Sequence, residues 1–247
     1  MKITILGCGS SGGVPRIGNV WGACDPQEPK NRRSRCSILV SRGSGDKQTH
    51  VLVDTAPDMR QQLLDAGVGD LQGVLYTHDH ADQTHGVDDL RVIAIHNRRR
   101  VEVYADEATR ARLQHRFDYC FVQPPGSPYP PILTLNHLPQ PGKEMTIDGP
   151  GGPISFIPFE QDHGSIKSLG FRFGPIAYSS DLVGLPDQSF DILKGVKCWI
   201  VDALRYKPHP THAHLDMTLG WLKRVNPTRG ILTNMHIDLD YQTLKRE

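Results

Sequence analysis

The stretch Leu75-Tyr76-Thr77-His78-Asp79-His80-Ala81-Asp82-Gln83 carries the densest chemistry in the sequence. An apolar run ends at Thr77, and His78, His80 and Asp82 follow at intervals of two. Alternate residues of an extended segment point to the same side. These three side chains can therefore converge on one point at the mouth of a sheet. Two imidazoles and a carboxylate suit zinc, manganese or iron. A polar loop that merely contains two histidines is the competing explanation. It loses ground because further ligand types follow other apolar runs. Asp162-His163-Gly164 follows Ile154–Pro158, Ser179-Ser180-Asp181 follows Ile176–Tyr178, and Asn234-Met235-His236 follows Gly230–Thr233. Polar groups at the ends of several buried strands are how an active site is assembled on a sheet scaffold.

The elements that position these groups are short and β-branched. Ile3–Leu6, Ser37–Val40, His50–Val53, Gly73–Tyr76, Val101–Tyr104, Ile154–Pro158, Gly170–Phe173, Ile176–Ser179, Lys197–Val201 and Gly230–Thr233 each predict a strand. Asp58–Ala66, Val87–Ile95, Asp106–His115 and Met217–Val225 show helical patterning between some of them. The progression from strands to alternating strand and helix occurs twice, which two packed sheets with helices outside them would explain. Pro124–Pro131 and Gly149–Pro153 predict surface loops rather than linkers, so residues 1–247 are expected to form a single domain.

The chain has 247 residues, with 28 Lys plus Arg against 27 Asp plus Glu, a formal net charge of +1. That balance excludes a protein that grips nucleic acid through bulk positive charge. No apolar run approaches the roughly 20 residues of a membrane helix, and the run at Ile3–Leu6 is too short for a secretory leader. The 5 scattered cysteines predict reduced thiols and a cytoplasmic location. The 12 histidines direct attention back to metal ligation.

On these residues the chain resembles the metallo-β-lactamase superfamily of binuclear hydrolases. The resemblance implies an α+β fold, a four-layer αββα sandwich, holding two divalent metal ions, manganese or zinc. It makes His78, His80 and His163 ligands of the first ion, Asp82 a ligand of the second, and Asp181 the bridging carboxylate. Asp54 resembles the buried acid that supports the metal loop. Two places depart from the family pattern. Gln83 and Asn234 stand where histidines are usual. His236, two residues beyond Asn234, offers a replacement imidazole, with His85 in reserve. Amide side chains offer only neutral oxygens, which points to a weaker or harder second site.

The glycine- and serine-rich segment Leu6–Pro15 reads alone as a tight turn or a phosphate cradle, without the lysine of a nucleotide-triphosphate loop. With Trp21-Gly22-Ala23-Cys24 and Ser180–Pro186 it resembles the phosphodiesterase branch, phosphoribosyl 1,2-cyclic phosphate phosphodiesterase more than the transfer-RNA 3′-processing endonuclease. Cys24 lacks the neighbouring cysteines of that branch's structural zinc, and none is expected. The resemblance implies hydrolysis of a small cyclic or nucleotide-like phosphodiester by a metal-bridged hydroxide. It assigns catalysis to His214 as general acid with Asp181 and Asp82, and offers Asp216 as an orienting partner. Ser11, Arg32, Arg33, Arg35 and His212 are candidate substrate contacts, with His209 nearby. A solvated loop and a solvated charge run are the competing readings of these clusters. Other functions stay open: a transfer-RNA-processing type of nuclease, a thioester or β-lactam hydrolase, and a nucleotide- or metal-binding module without turnover. Phe117–Gly152 is proline-rich with few basic residues, so no long nucleic acid is expected, and without a membrane-length apolar run no membrane partner is expected. The residues do not fix the oligomer, and the resemblance allows a homodimer.

Overall fold

The computed structural model describes all 247 residues, which form two compact units. The first comprises Met1–Leu6, Ser37–Gln140 and Glu144–Ser155; the second comprises Gly7–Cys36, Pro141–Lys143 and Phe156–Glu247.

The first unit is built on a mixed sheet with β1 (Lys2–Gly7), β2 (Ser37–Ser44), β3 (Lys47–Val53), β4 (Gly73–Leu75), β5 (Val101–Ala105) and β6 (Leu133–His137) in that spatial order. β2 and β3 form an antiparallel hairpin, and β3 to β6 run parallel. Parallel neighbours need crossovers, which here contain α1 (Met59–Ala66), α2 (Ala81–Thr84), α3 (Leu90–Asn97), α4 (Glu107–Arg116) and α5 (Asp118–Phe121). α1 stops at Gly67, whose left-handed φ of 66° lets its N–H reach back to the carbonyls of Leu63 and Leu64. Leu39, Leu52, Val74 and Val103 from the strands, with Tyr76 just after β4, meet Met59, Leu63, Leu90 and Ile93 from the helices in one core. Each such side chain contributes about 1.5–3 kcal/mol on burial.

The second sheet has the order β12-β11-β10-β9-β8-β7. Its strands are β7 (Met145–Ile147), β8 (Ile154–His163), β9 (Ile166–Phe173), β10 (Ile176–Ser179), β11 (Cys198–Asp202) and β12 (Arg229–Thr233). β7 and the first two residues of β8 fall in the first unit. β8, β9 and β10 are antiparallel, whereas β10, β11 and β12 are parallel. The helices here are α6 (Asp187–Leu193), α7 (Leu215–Val225) and α8 (Tyr241–Arg246). Trp221, Leu222 and Val225 turn one face of α7 onto a core of Phe159, Ala177, Leu193, Trp199 and Val201. Trp199 donates its indole N–H to Ser179 Oγ at 3.0 Å, which satisfies the polar atom of a fully buried ring.

The two mixed sheets with helices give the expected α+β class, and all ten expected strands are present, six within one residue at each end and β2, β3, β8 and β9 longer than expected by three to five residues. β6, β7, α2, α5, α6 and α8 are additional. β6 follows the proline cluster at once, and β7 is three residues long. No helix is long and apolar enough to cross a membrane.

Candidate functional site

In the first unit the histidine loop hangs from Asp54. This residue follows β3 with a left-handed φ of 65°, and its N–H bonds to Leu75 C=O at 2.8 Å. Its carboxylate accepts the Thr77 N–H at 2.8 Å and the Thr77 hydroxyl at 2.9 Å. Because that hydroxyl hydrogen goes to Asp54, Thr77 Oγ1 can only accept from His78 Nδ1, 3.0 Å away. The proton of His78 is thereby fixed on Nδ1, and Nε2 carries the lone pair that a metal requires. His78 is buried, and the exposed His80 meets it edge to face with ring centroids 4.6 Å apart. Asp82 lies in the first turn of α2, where the buried Gln83 makes a long 3.5 Å amide contact to its carboxylate. His85 packs edge-on against Phe117. Between the two histidines, Asp79 turns to α4. Its carboxylate pairs with Arg116 at 3.1 Å and Arg112 at 3.4 Å, and Arg116 also donates to the Asp79 carbonyl.

In the second unit His163 ends β8 and donates Nδ1–H to Thr211 C=O at 2.7 Å. Its Nε2 also retains the lone pair. The turn after it requires Gly164, because a Cβ there would lie 2.4 Å from Thr211 Cγ2 and φ is +68°. The His163 ring lies 4.7 Å from that of His212. His212 Nδ1 stands 3.1 Å from Asp202 Oδ2 and 3.3 Å from Asp181 Oδ1. Asn234 Nδ2 donates to Asp181 Oδ1 at 2.6 Å; the opposite amide orientation would set oxygen against carboxylate. Asp181 and Asn234 both have left-handed backbones, φ 53° and 58°. Ser168 holds the first by donating to Asp181 C=O at 2.7 Å. Asp202 is fully buried at the end of β11. Burial pushes its carboxyl above the ordinary range, and the bond from His212 pulls it back. The ligating atoms of Asp181, Asp202 and His212 lie within 4.8 Å of one another.

Other candidate residues take different positions. His236 faces Arg16, whose guanidinium abuts Nε2, while Nδ1 lies 3.2 Å from Asp238 Oδ2. Arginine can only donate, so Nε2 accepts and the imidazole proton sits on the Asp238 side. Burial, then Arg16, push the His236 pKa down. Arg33 is buried, with hydrogen bonds to Asn31 Oδ1, Cys24 Sγ and the His236 carbonyl. Arg32 lies over the Trp21 ring at 5.2 Å, Arg35 is half-buried, and Ser11 is exposed in a turn. His214 occupies the N-cap position of α7 without a side-chain capping bond, and Asp216 is exposed in the first turn. Sequence reasoning passed over Asp202 and Arg16. Asp202 was discoverable, since it ends an apolar run as Asp54 does.

A family model described as the beta-lactamase superfamily domain matches residues 49–237. A Porphyromonas gingivalis protein named octanoyltransferase is 30% identical over 238 residues, covering 95% of this chain and 46% of that protein. The chain thus spans about half the length of that curated relative. Among solved structures, a "new diphosphatase from the PhnP family" is 33% identical with a TM-score of 0.85, covering 99% of this chain and 90% of the other. Zn(2+)-bound PqqB from Methylobacterium extorquens is 16% identical with a TM-score of 0.70, covering 96% and 90%. The short form of human tRNase Z is 17% identical with a TM-score of 0.65, covering 96% and 93%. The last two share the fold.

Proposed function

Since the chain belongs to the metallo-β-lactamase superfamily of metal-dependent hydrolases, we propose that it hydrolyses a small phosphoric diester, cyclic or nucleotide-like. The observation that carries this reading is the buried Asp181, Asp202 and Asn234 at three strand ends, with the half-buried His212 set against them. Together they supply a carboxylate for metal and an imidazole backed by a second carboxylate. The description of the 33% identical relative as a diphosphatase supports phosphorus as the reacting centre.

The imidazoles suit a metal, because in His78 and His163 a hydrogen bond holds the proton on Nδ1 and leaves Nε2 as donor. This reading keeps His78, His80 and His163 as imidazole ligands and Asp82 and Asp181 as carboxylate ligands, with manganese or zinc as the candidate ions. Divalent ions there would acidify water and offset negative charge on the phosphoryl oxygens. The proton for the leaving alkoxide comes from His212 in preference to His214. His212 lies against Asp181 and the His163 ring, and Asp202 stabilises its charged form. The neutral amides of Gln83 and Asn234 favour the harder metal at the second position.

Metal analysis and turnover of bis(4-nitrophenyl) phosphate test the reading. At least one divalent ion per chain and metal-dependent release of nitrophenolate are expected. His212→Ala should slow esters with alkyl leaving groups by roughly 10²–10⁴-fold, and nitrophenyl esters far less, because nitrophenolate departs without a proton. Equal losses would refute the proton-donor role. A second reading, hydrolysis of an acyl thioester, draws on the relative named octanoyltransferase. Turnover of octanoyl thioesters without phosphodiester hydrolysis would establish it instead.

A further inference from the structure

In the first unit the turn between α3 and β5 carries three consecutive arginines, Arg98, Arg99 and Arg100, which the proposed chemistry does not use. α3 ends as α1 and α7 do, on a residue with a left-handed backbone whose N–H reaches back to the helix. That position favours Gly or Asn. α1 has Gly67 there and α7 has Asn226, but α3 has Arg98, with φ 51°. Only the middle arginine has an acidic partner. Arg99 pairs with Asp70 Oδ1, to which Asn97 Nδ2 also donates at 2.8 Å, and Gln72 Nε2 takes the other Asp70 oxygen at 2.8 Å. Arg98 and Arg100 are exposed and form no ion pair. The helix dipole favours a cation at this end of α3, which accounts for one of the three charges.

Beside these charges is a recess of about 340 Å³. It is lined by the buried Ala94 and Ile132, by the exposed Ile95, and by Pro130 and Pro131, and all three arginines border it. Arginine lays its hydrocarbon stem on such a surface and keeps its charge in water. The recess is therefore apolar within and cationic at its mouth. Its backbone is pinned: Val101 N–H bonds to Ile132 C=O at 3.0 Å, and Ile132 N–H to Cys120 C=O at 2.9 Å. Along α3, Val92 and Ile95 stand one turn apart and are 70% and 67% exposed, while Ile93 and Ala94 face the core. The outer face of a surface helix ordinarily carries polar groups. Here two large aliphatic side chains take that place next to unpaired arginines.

We propose that this recess and its arginines form a docking surface for an acidic segment of another protein, one that inserts a large apolar side chain among carboxylates. The apolar interior receives the side chain, and Arg98 and Arg100 meet the carboxylates beside it. A concave apolar seat discriminates among anions. A nucleic-acid backbone would find the charges and leave the recess empty, and a lipid surface is too smooth to fill it. The chain's formal net charge of +1 gives acids no general attraction, so the effect is local to this turn. None of these residues belongs to the histidine loop or to the Asp181 group, so the proposal is independent of the reaction catalysed.

The test measures fluorescence anisotropy of labelled pentapeptides on the full chain. The central residue is Phe, Leu or Ser, flanked on both sides by paired Glu or paired Gln. The Glu-flanked Phe or Leu peptide should bind. Gln flanks or a central Ser should each weaken binding at least about threefold, and added salt should weaken only the Glu-flanked series. Arg98→Gln with Arg100→Gln, which keeps much of the hydrocarbon stems, should raise Kd about 3–10-fold. Ile95→Asp should raise it about tenfold. All three side chains are exposed, and an unchanged melting temperature shows that both variants fold. No binding of any Glu-flanked peptide at about 1 mM, or unchanged binding in either variant, overturns the proposal. Equal affinity for a single-stranded oligonucleotide or for vesicles of anionic lipid also overturns it. A dimer in sedimentation that Ile95→Asp dissociates would assign the face to a second copy of this chain instead.

Discussion

Replacing Arg116 by Ala should weaken metal binding at the histidine loop without unfolding the protein. Arg116 projects from α4 and clasps Asp79, the residue between His78 and His80, through both its carboxylate and its carbonyl. The Asp79 side chain is 13% exposed and that of Arg116 37%, so solvent screens the pair in part. Hydrogen bonds to charged groups contribute about 1.5–3 kcal/mol, and screening brings this clasp toward the lower end, about 1.5–2 kcal/mol. Without the clasp the metal must hold the loop in its ligating shape, and the zinc Kd should rise about 10–30-fold. Competition against a chromogenic chelator measures this directly. Arg116→Lys should recover part of the affinity, since a point charge reaches the carboxylate but loses the fork. Asp79→Asn should cost less, because the carbonyl contact survives. A zinc Kd for Arg116→Ala within about twofold of wild type, at any melting temperature, would refute the positioning role.

Asp202→Asn should slow alkyl-ester hydrolysis about 10–100-fold by removing the charge behind His212, measured as kcat. Burial raises the folded pKa of Asp202, so its contribution to stability is fully present below the unfolded value and is lost as pH rises through the folded one. The melting temperature of wild type relative to Asp202→Asn should therefore fall with rising pH, and an opposite slope would contradict the assignment. Gln83→His with Asn234→His should raise zinc affinity and stoichiometry, read by competition titration and metal analysis; no change would place both side chains away from the ion. Asp240 caps α8 and accepts from Asn31 Nδ2 at 2.6 Å and the Thr243 N–H at 2.9 Å, and these bonds, Asn31's first, hold its carboxyl well below the usual range. Asp240→Ala should cost about 2–3 kcal/mol in urea unfolding at pH 7. Because a depressed pKa stabilises above the unfolded value, that gap should close as the pH falls below about 4.

Much of this was legible because β-branched runs and strand-end polar residues are local signals. The strand at Ile176–Ser179 matches to the residue, and Asp54, His78, His163 and Asp181 all lie at or just beyond strand ends. The additional strands are those whose pattern is weak. Leu133-Thr134-Leu135-Asn136-His137 holds its place as the edge partner of β5, a pairing no local pattern reveals. Side-chain partners were less legible still. The run at Arg32, Arg33 and Arg35 suggests phosphate contacts, yet Arg33 is spent inside on Asn31, Cys24 and a carbonyl. Arg16, isolated in sequence, gains its interest from His236, 220 positions away. His212 and His214 are nearly equivalent as letters, and the turn into α7 separates their surroundings: one meets two buried carboxylates, the other begins a helix.

Asp54, Asp181 and Asn234 share left-handed backbones. Among residues with a side chain, Asn and Asp tolerate that conformation best. The fold therefore restricts the alphabet at these three positions before any chemistry is chosen. Among the residues that tolerate it, Asp and Asn are nearly isosteric, one charged and one neutral. Substitution there can edit the electrostatics of the site in whole units of charge while its shape stays fixed.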